Sequence, residues 1–220
     1  MSIEINDCMP GKFIAFEGID GSGKSTQIKK LIQRLSNLGI RCYKTGEPTD
    51  SPIGSLIHQI MTGRITADNR VIAGLFIADR IDHLTNPTDG IIQKIQNGVT
   101  VITDRYYFSS YAYHGVDLNM DWVIQGNSIS AEVLRPTLTI FLDVPVQKAL
   151  ERISRGRFHM ELFEKEERLA KVRDKYFEAF KKLQDVERFV IIDADGDIDQ
   201  VADRVWAVLA KYFPTRDDVL

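Results

Sequence analysis

Five short apolar runs, KFIAFE, RCYKT, VTVITD, LTIFLDV and RFVIID, are spread along 220 residues, and segments with helical periodicity separate most of them. Runs of this kind read as strands buried on both faces. Interleaved with helices, they close as a largely parallel sheet with helices packed against it. The alternation predicts an α/β fold, and one domain over residues 1–220, since no repeat, low-complexity tract or linker divides the chain. The first helix is sharply defined: Ile28, Leu31, Ile32, Leu35 and Leu38 share one face and Gly39 follows as a stop. That face must lie on the sheet, which turns the helix N-terminus back toward the residues just before it. The first eleven residues and the tail PTRDDVL are expected to be loosely held.

The residues just before that helix are FEGIDGSGKST, in which Gly18 to Ser25 fit GxxxxGK[ST] without a mismatch. Glycines at this spacing let successive backbone N–H groups point inward, and the helix N-terminus adds the positive end of its dipole, so the loop is built to hold phosphates. Gly18, Asp20, Gly21, Ser22, Gly23, Lys24, Ser25 and Thr26 are therefore the candidate nucleotide-binding residues, with Lys24 bridging β- and γ-phosphates and Ser25 on Mg²⁺. Lys24, as a loop residue, is expected to be solvated, with few packing contacts. The same cradle serves kinases, switches and motors, so the loop leaves the reaction open. A phosphotransferase, a GTPase switch and an ATP-driven binding module all remain. The guanine-reading string NKxD does not occur, and DADG, residues 193–196, reads as a turn after the last strand.

Composition narrows the partners. A formal net charge of −3, with both signs interspersed, gives no global pull toward nucleic acid or an anionic membrane. No apolar stretch approaches the roughly 20 residues of a membrane span. Cys8 and Cys42 have neither metal-ligand spacing nor a disulfide framework, and MSIEINDCMPGK lacks the features of a signal peptide, so the expected compartment is the cytoplasm.

A kinase needs a second pocket with cations at strand ends. Asp104 and Arg105 directly follow VTVIT, at the edge of the sheet where open α/β folds bind ligands. An Asp there can hold Mg²⁺ and an Arg can clamp a phosphate. Upstream, Phe76 and Arg80 in LFIADR are one helical turn apart, where a ring can stack on a base while a guanidinium reads its edge; a core Phe76 beside a solvated Arg80 satisfies the same spacing.

FEGIDGSGKST, EPTDSPIG, LFIADRIDHL, DRYYFSSYAYHG and LTIFLDV occur in the order and spacing of thymidylate kinases, and the chain resembles that family over residues 12–193. The resemblance implies a three-layer P-loop kinase fold with a five-stranded parallel sheet ordered 2-3-1-4-5, transfer of the γ-phosphoryl of ATP to dTMP with Mg²⁺, and a homodimer. It implies that Asp20 approaches the sugar 3′-hydroxyl and metal, that Phe76 stacks on thymine, and that Arg80 reaches O4. Arg105 would bind the dTMP phosphate with Asp104 on the magnesium side, Ser110 would lie near the pyrimidine edge, and Tyr113 would lie under the deoxyribose. Glu47 and Ser109 fall among the acceptor-binding positions by the same resemblance, and Tyr107 and Tyr111 among the packing ones.

The resemblance also makes residues 148–164 a lid. Since no Arg lies between Gly18 and Lys24, the lid must supply one, and Arg152 and Arg157 are the candidates, with Arg155 beside them. The following run, FEKEERLAKVRDKYFEAFKKL, carries dense charges at helical spacing and reads as a scaffold helix without chemistry. The chain departs from the family's common pattern at Gly46 and His58, where Arg is usual, and at His114, Thr137 and Leu162. Loss of two cations leaves two possibilities: a depleted acceptor-phosphate pocket, which Gly46→Arg would refill, or a pocket rebuilt around another cation such as Arg41, Lys44 or Arg64, or around another acceptor, which the new Arg would crowd.

Overall fold

A computed structural model describes residues 11–153 and 160–213, with side chains from Met160 to residue 165 left out of the account. The first ten residues, the last seven, and Arg155 and Arg157 of the lid fall outside the described residues, as does the side chain of Leu162.

The strands form where the apolar runs stand: β1 (Phe13–Glu17), β2 (Cys42–Gly46), β3 (Thr100–Asp104), β4 (Leu138–Asp143) and β5 (Phe189–Asp193). All pair in parallel, in the order β2-β3-β1-β4-β5. The central strand β1 has every residue buried, as helices on both faces require. Helices α1 (Lys24–Asn37), α2 (Pro52–Met61), α3 (Asn69–Thr85) and α4 (Ile91–Gln96) precede β3 where the chain order requires them. Helices α5 (Tyr107–His114), α6 (Met120–Gly126) and α7 (Ser128–Val133) follow it; α8 (Val146–Ile153), α9 (Met160–Leu183) and α10 (Ile198–Leu209) complete the chain.

Helix α1 packs as its periodicity dictates. Ile28, Leu31 and Leu35 are buried, Leu38 is exposed, and Gly39 takes a left-handed φ of 75° that ends the helix. Truncation of Leu35, wholly buried, would cost about 2–5 kcal/mol. Phe141 of β4, Phe189 of β5, and Tyr176 and Phe180 of α9 form an aromatic cluster with centroids 4.5–6.1 Å apart, fixing α9 on the sheet.

Register positions the site. Phe16 lies opposite Asp104, and Asp104 lies opposite Gly46, so the carboxyl ends of β1, β3 and β2 finish level with one another. The loop after β1, the turn after β3 and the Glu47–Pro48 segment after β2 consequently open at one edge.

Candidate active site

The glycine loop bridges β1 and α1. Gly18, Gly21 and Gly23 have φ of 143°, 78° and 97°, values open to glycine at little cost. A β-carbon on Gly21 would stand 2.3 Å from the Ala149 carbonyl oxygen, so α8 packs tightly on the loop. Ser22 N–H donates to the Ile19 carbonyl at 3.1 Å, and the Ser22 hydroxyl is buried without a partner among the described residues.

Lys24 corrects the expectation of a solvated side chain. It is 7% exposed, and Nζ donates to the carbonyls of Gly18 at 3.0 Å and Ile19 at 3.1 Å, curling inside the loop it closes. Burial, reinforced by the nearby Arg105 cation, pushes its pKa down to about 8. Spacing gives the position of a lysine along the chain; it does not reveal that the loop folds around it.

Ser25 Oγ donates to Asp104 Oδ2 at 2.9 Å, joining the loop to the end of β3. Two hard oxygen donors on the wall of the site suit Mg²⁺, which takes most of its remaining ligands from water and substrate phosphates. No cluster of three or more His, Cys, Asp or Glu side chains fit to hold a metal occurs among the described residues.

Arg105 follows directly and has φ of 75°, the only positive value outside glycine among the described residues. A left-handed Arg costs about 1–3 kcal/mol and persists only where its surroundings enforce it. Its N–H donates to the Phe16 carbonyl at 2.9 Å. The guanidinium crosses the mouth of the loop: Nη2 reaches Asp20 Oδ1 at 2.6 Å and the Tyr113 hydroxyl at 3.1 Å, and Nη1 reaches Ser109 Oγ at 2.9 Å. The Tyr113 ring lies 4.7 Å beneath it. Burial raises the pKa of the Tyr113 phenol to about 12. Asp20, Arg105 and Tyr113 thus form one unit between the loop and α5.

A second, fully buried group lies behind it. Arg80 sends Nε to Glu47 Oε2 at 2.8 Å and Nη2 to the same oxygen at 2.6 Å, with the two side chains only 1% and 2% exposed. Its Nη1 donates to Ser110 Oγ at 3.1 Å and to Asn127 Oδ1. His83 Nδ1 lies 3.2 Å from Glu47 Oε1, while His83 Nε2 is 2.6 Å from Thr45 Oγ1. The ring thus bridges Glu47 and Thr45, with one nitrogen on each. Asp79, wholly buried, receives Thr49 N–H at 2.8 Å and the Thr49 and Ser51 hydroxyls, which pins the segment after Glu47. The solvated Arg80 that the helical spacing also allowed is excluded. Phe76 is half-buried and meets His114 edge-on at 5.2 Å.

An open cleft of about 1860 Å³ runs along this edge. Asp20 through Thr26, Glu47, His58, Asp104, Arg105 and Arg152 line it. Gly18, Phe76, Arg80, Ser109, Ser110 and Tyr113, all expected at the site, are not among its lining residues. Ser109 and Ser110, expected at the substrate, are 8% and 3% exposed with their hydroxyls bonded inside the protein. Arg152, at the end of α8, donates to the carbonyls of Gly21 and Ser22 at 3.3 Å and to that of Ala194 at 3.2 Å.

Spacing alone missed three contributors. The DADG turn supplies Ala194 and Gly196 to the cleft and leads to Asp197, which caps α10. The supposedly inert scaffold helix α9 sends Tyr176 into the site, its hydroxyl 2.9 Å from Glu17 Oε2 and 2.8 Å from Ser109 Oγ. Glu17 itself is buried at the end of β1. The one signal for it was a carboxylate closing an otherwise apolar strand.

The family model for thymidylate kinase matches residues 16–205. The chain belongs to the thymidylate kinase family. It is 38% identical to a probable thymidylate kinase of Methanocaldococcus jannaschii over 82% of this chain and 86% of that one. A probable thymidylate kinase of Pyrobaculum calidifontis is also 38% identical, over 90% and 96%. The thymidylate kinase of Nitrobacter winogradskyi matches at 38% over 96% and 93%. The sheet order β2-β3-β1-β4-β5 agrees with the P-loop kinase fold that the motifs imply. Among the described residues no helix is long and apolar enough to cross a membrane.

Proposed function

We propose that the chain transfers the γ-phosphoryl group of ATP to dTMP by direct in-line displacement. Family membership supports the reaction class. The observation that carries the reading within the molecule is the Arg105–Asp20 contact of 2.6 Å, which brings the acceptor-side cation to the mouth of the phosphate loop.

Loop N–H groups and the N-terminus of α1 receive the phosphates of ATP, and Lys24 exchanges the Gly18 and Ile19 carbonyls for phosphate oxygens. Ser25 and Asp104 hold Mg²⁺, which when bound neutralises phosphate charge. Arg105 holds the dTMP phosphate, and Asp20 lies beside it toward the deoxyribose. Arg152, already over the loop, supplies positive charge as the equatorial oxygens gain negative charge. Phe76 and Arg80 give thymine a face and an edge donor: the guanidinium donates from Nε to Glu47 and from Nη1 to Ser110 and Asn127, and Nη2, in ion-pair contact with Glu47, is the nitrogen left to donate to O4. Positioning and electrostatics suffice for such a transfer, and no covalent intermediate is required.

Two chains pair as a homodimer in this reading, supported by the family resemblance and by Val71 on α3 and Ile129 on α7, each more than half exposed. Light scattering of the purified protein tests the pairing. A coupled ADP-release assay over a panel of nucleoside monophosphates tests the reaction, with dTMP the expected acceptor. Equal turnover of dTMP, UMP and AMP would overturn the assignment.

A further inference from the structure

Phosphoryl transfer gives Glu17 nothing to do. The residue ends the most buried strand of the sheet, it is wholly inaccessible, and the four residues before it are apolar. A packing demand alone would place another hydrophobe there, because a buried carboxylate is costly unless its oxygens are filled. They are filled completely. Oε1 accepts the N–H of Tyr106 at 2.8 Å and of Ser109 at 3.2 Å; Oε2 lies 2.6 Å from the Ser109 hydroxyl and 2.9 Å from that of Tyr176.

These contacts converge on Arg105. Tyr106 and Ser109 are the residue before α5 and a residue of its first turn, and α5 has no side-chain cap of its own. Glu17 therefore serves as a cap from another strand: it satisfies the Tyr106 N–H, and it shares the Ser109 N–H with the Tyr106 carbonyl, 3.1 Å away. Arg105 immediately precedes this anchored turn and holds its left-handed φ against it. The Ser109 hydroxyl, donating its hydrogen bond to Glu17, presents a lone pair to Arg105 Nη1 at 2.9 Å. Both the backbone and the guanidinium of Arg105 thus trace back to one carboxylate.

We propose that Glu17 is a positioning residue for Arg105, setting its guanidinium toward the acceptor phosphate by capping α5 and by fixing the direction of the Ser109 hydroxyl. The inference rests on the reading of Arg105 as the dTMP-phosphate ligand. Glu17 touches no substrate. Glutamine in its place keeps an oxygen for the two N–H groups but turns an amide donor toward Ser109, so the hydroxyl loses its acceptor and the lone pair offered to Arg105 is contested. Alanine at Ser109 removes that link and leaves the cap intact.

Steady-state kinetics in both substrates tests this on three proteins: the wild type, Glu17→Gln and Ser109→Ala. Each variant should raise the KM for dTMP by about ten-fold or more while the KM for ATP stays within about two-fold. In an Arg105→Ala background neither change should raise the KM for dTMP further, since the residue they act through is gone. An unchanged KM for dTMP in a folded Ser109→Ala protein overturns the proposal, even if Glu17→Gln fails to fold. So does an equal rise for ATP, or effects that multiply with that of Arg105→Ala, since either marks a general loss of structure. A wild type that phosphorylates another acceptor and not dTMP refutes the assigned reaction and this inference with it. An active wild type with unaffected variants refutes the inference alone.

Discussion

Truncating Arg80 separates structure from recognition at the acceptor side. Arg80→Ala would strip Glu47 Oε2 of both its guanidinium contacts, at 2.8 and 2.6 Å, and leave the carboxylate with His83 at 3.2 Å as its remaining side-chain partner. The Glu47 side chain is 2% exposed, so the charge that stays behind is poorly hydrated. Asn127 Oδ1, also buried, loses its donor as well. Breaking one partner of a buried ion pair typically costs about 3–5 kcal/mol, because the other charge stays behind uncompensated. For a chain of this size each kcal/mol moves the Tm by roughly 2–4 °C, which places the expected fall at about 6–20 °C.

The same logic predicts a rescue. Arg80→Met combined with Glu47→Gln removes both charges and nearly keeps the volume, so the double variant should be more stable than the sum of the single losses by roughly 0.5–3 kcal/mol. Urea unfolding followed by the fluorescence of Trp122 and Trp206 measures all four corners of that cycle. A loss below about 1 kcal/mol for Arg80→Ala, or strict additivity in the cycle, would refute the view that Glu47 is held in place by Arg80.

Arg80→Lys keeps a charge but not the fork, so discrimination of dTMP from dCMP should weaken by roughly 1–3 kcal/mol in kcat/KM, and an unchanged ratio would make Arg80 purely structural. Lys24→Ala should lower kcat by about 10²-fold or more, read by steady-state turnover; near-normal turnover would reject its role. Gly46→Arg should leave the KM for dTMP unimproved and lower the Tm, because a β-carbon there would stand 3.1 Å from the Asp104 carbonyl oxygen; a lower KM in a stable protein would restore the depleted-pocket expectation. Burial first, and then Arg80, depresses the pKa of His114 to about 4 from 6.5. Between those values the unfolded chain binds more protons, so stability rises with pH across that window, and His114→Gln should flatten the rise by about 1–3 kcal/mol; an unchanged pH profile in the variant would show that His114 is not its source.

What could be read from the sequence follows from how far each pattern reaches. Strand and helix periodicity and the glycine loop are local, so β1, α1 and the sheet class were legible from FEGIDGSGKST and its flanks. The spacing of Phe76 and Arg80 was legible too, but the partner that buries Arg80 lies 33 residues earlier in the chain, at Glu47. Glu17 and Tyr176 are 159 residues apart and meet at one hydroxyl. The charged face of α9 dominates its sequence pattern, whereas its contribution to the site comes from the opposite, apolar face, where Tyr176 is wholly buried. DADG looked like a bare turn because a turn's backbone carbonyl, here that of Ala194 accepting Arg152, leaves no mark on residue type. Gly46 shows the same gap from the other side. The resemblance presented it as a missing cation, whereas strand register makes it the residue that lets β2 end against Asp104, where the Ser25 pair and the turn into Arg105 are formed. In the proposed reaction the acceptor-phosphate charge is therefore concentrated on Arg105. That increases what depends on the buried carboxylate behind it, a residue visible in the sequence only as the polar end of an apolar strand.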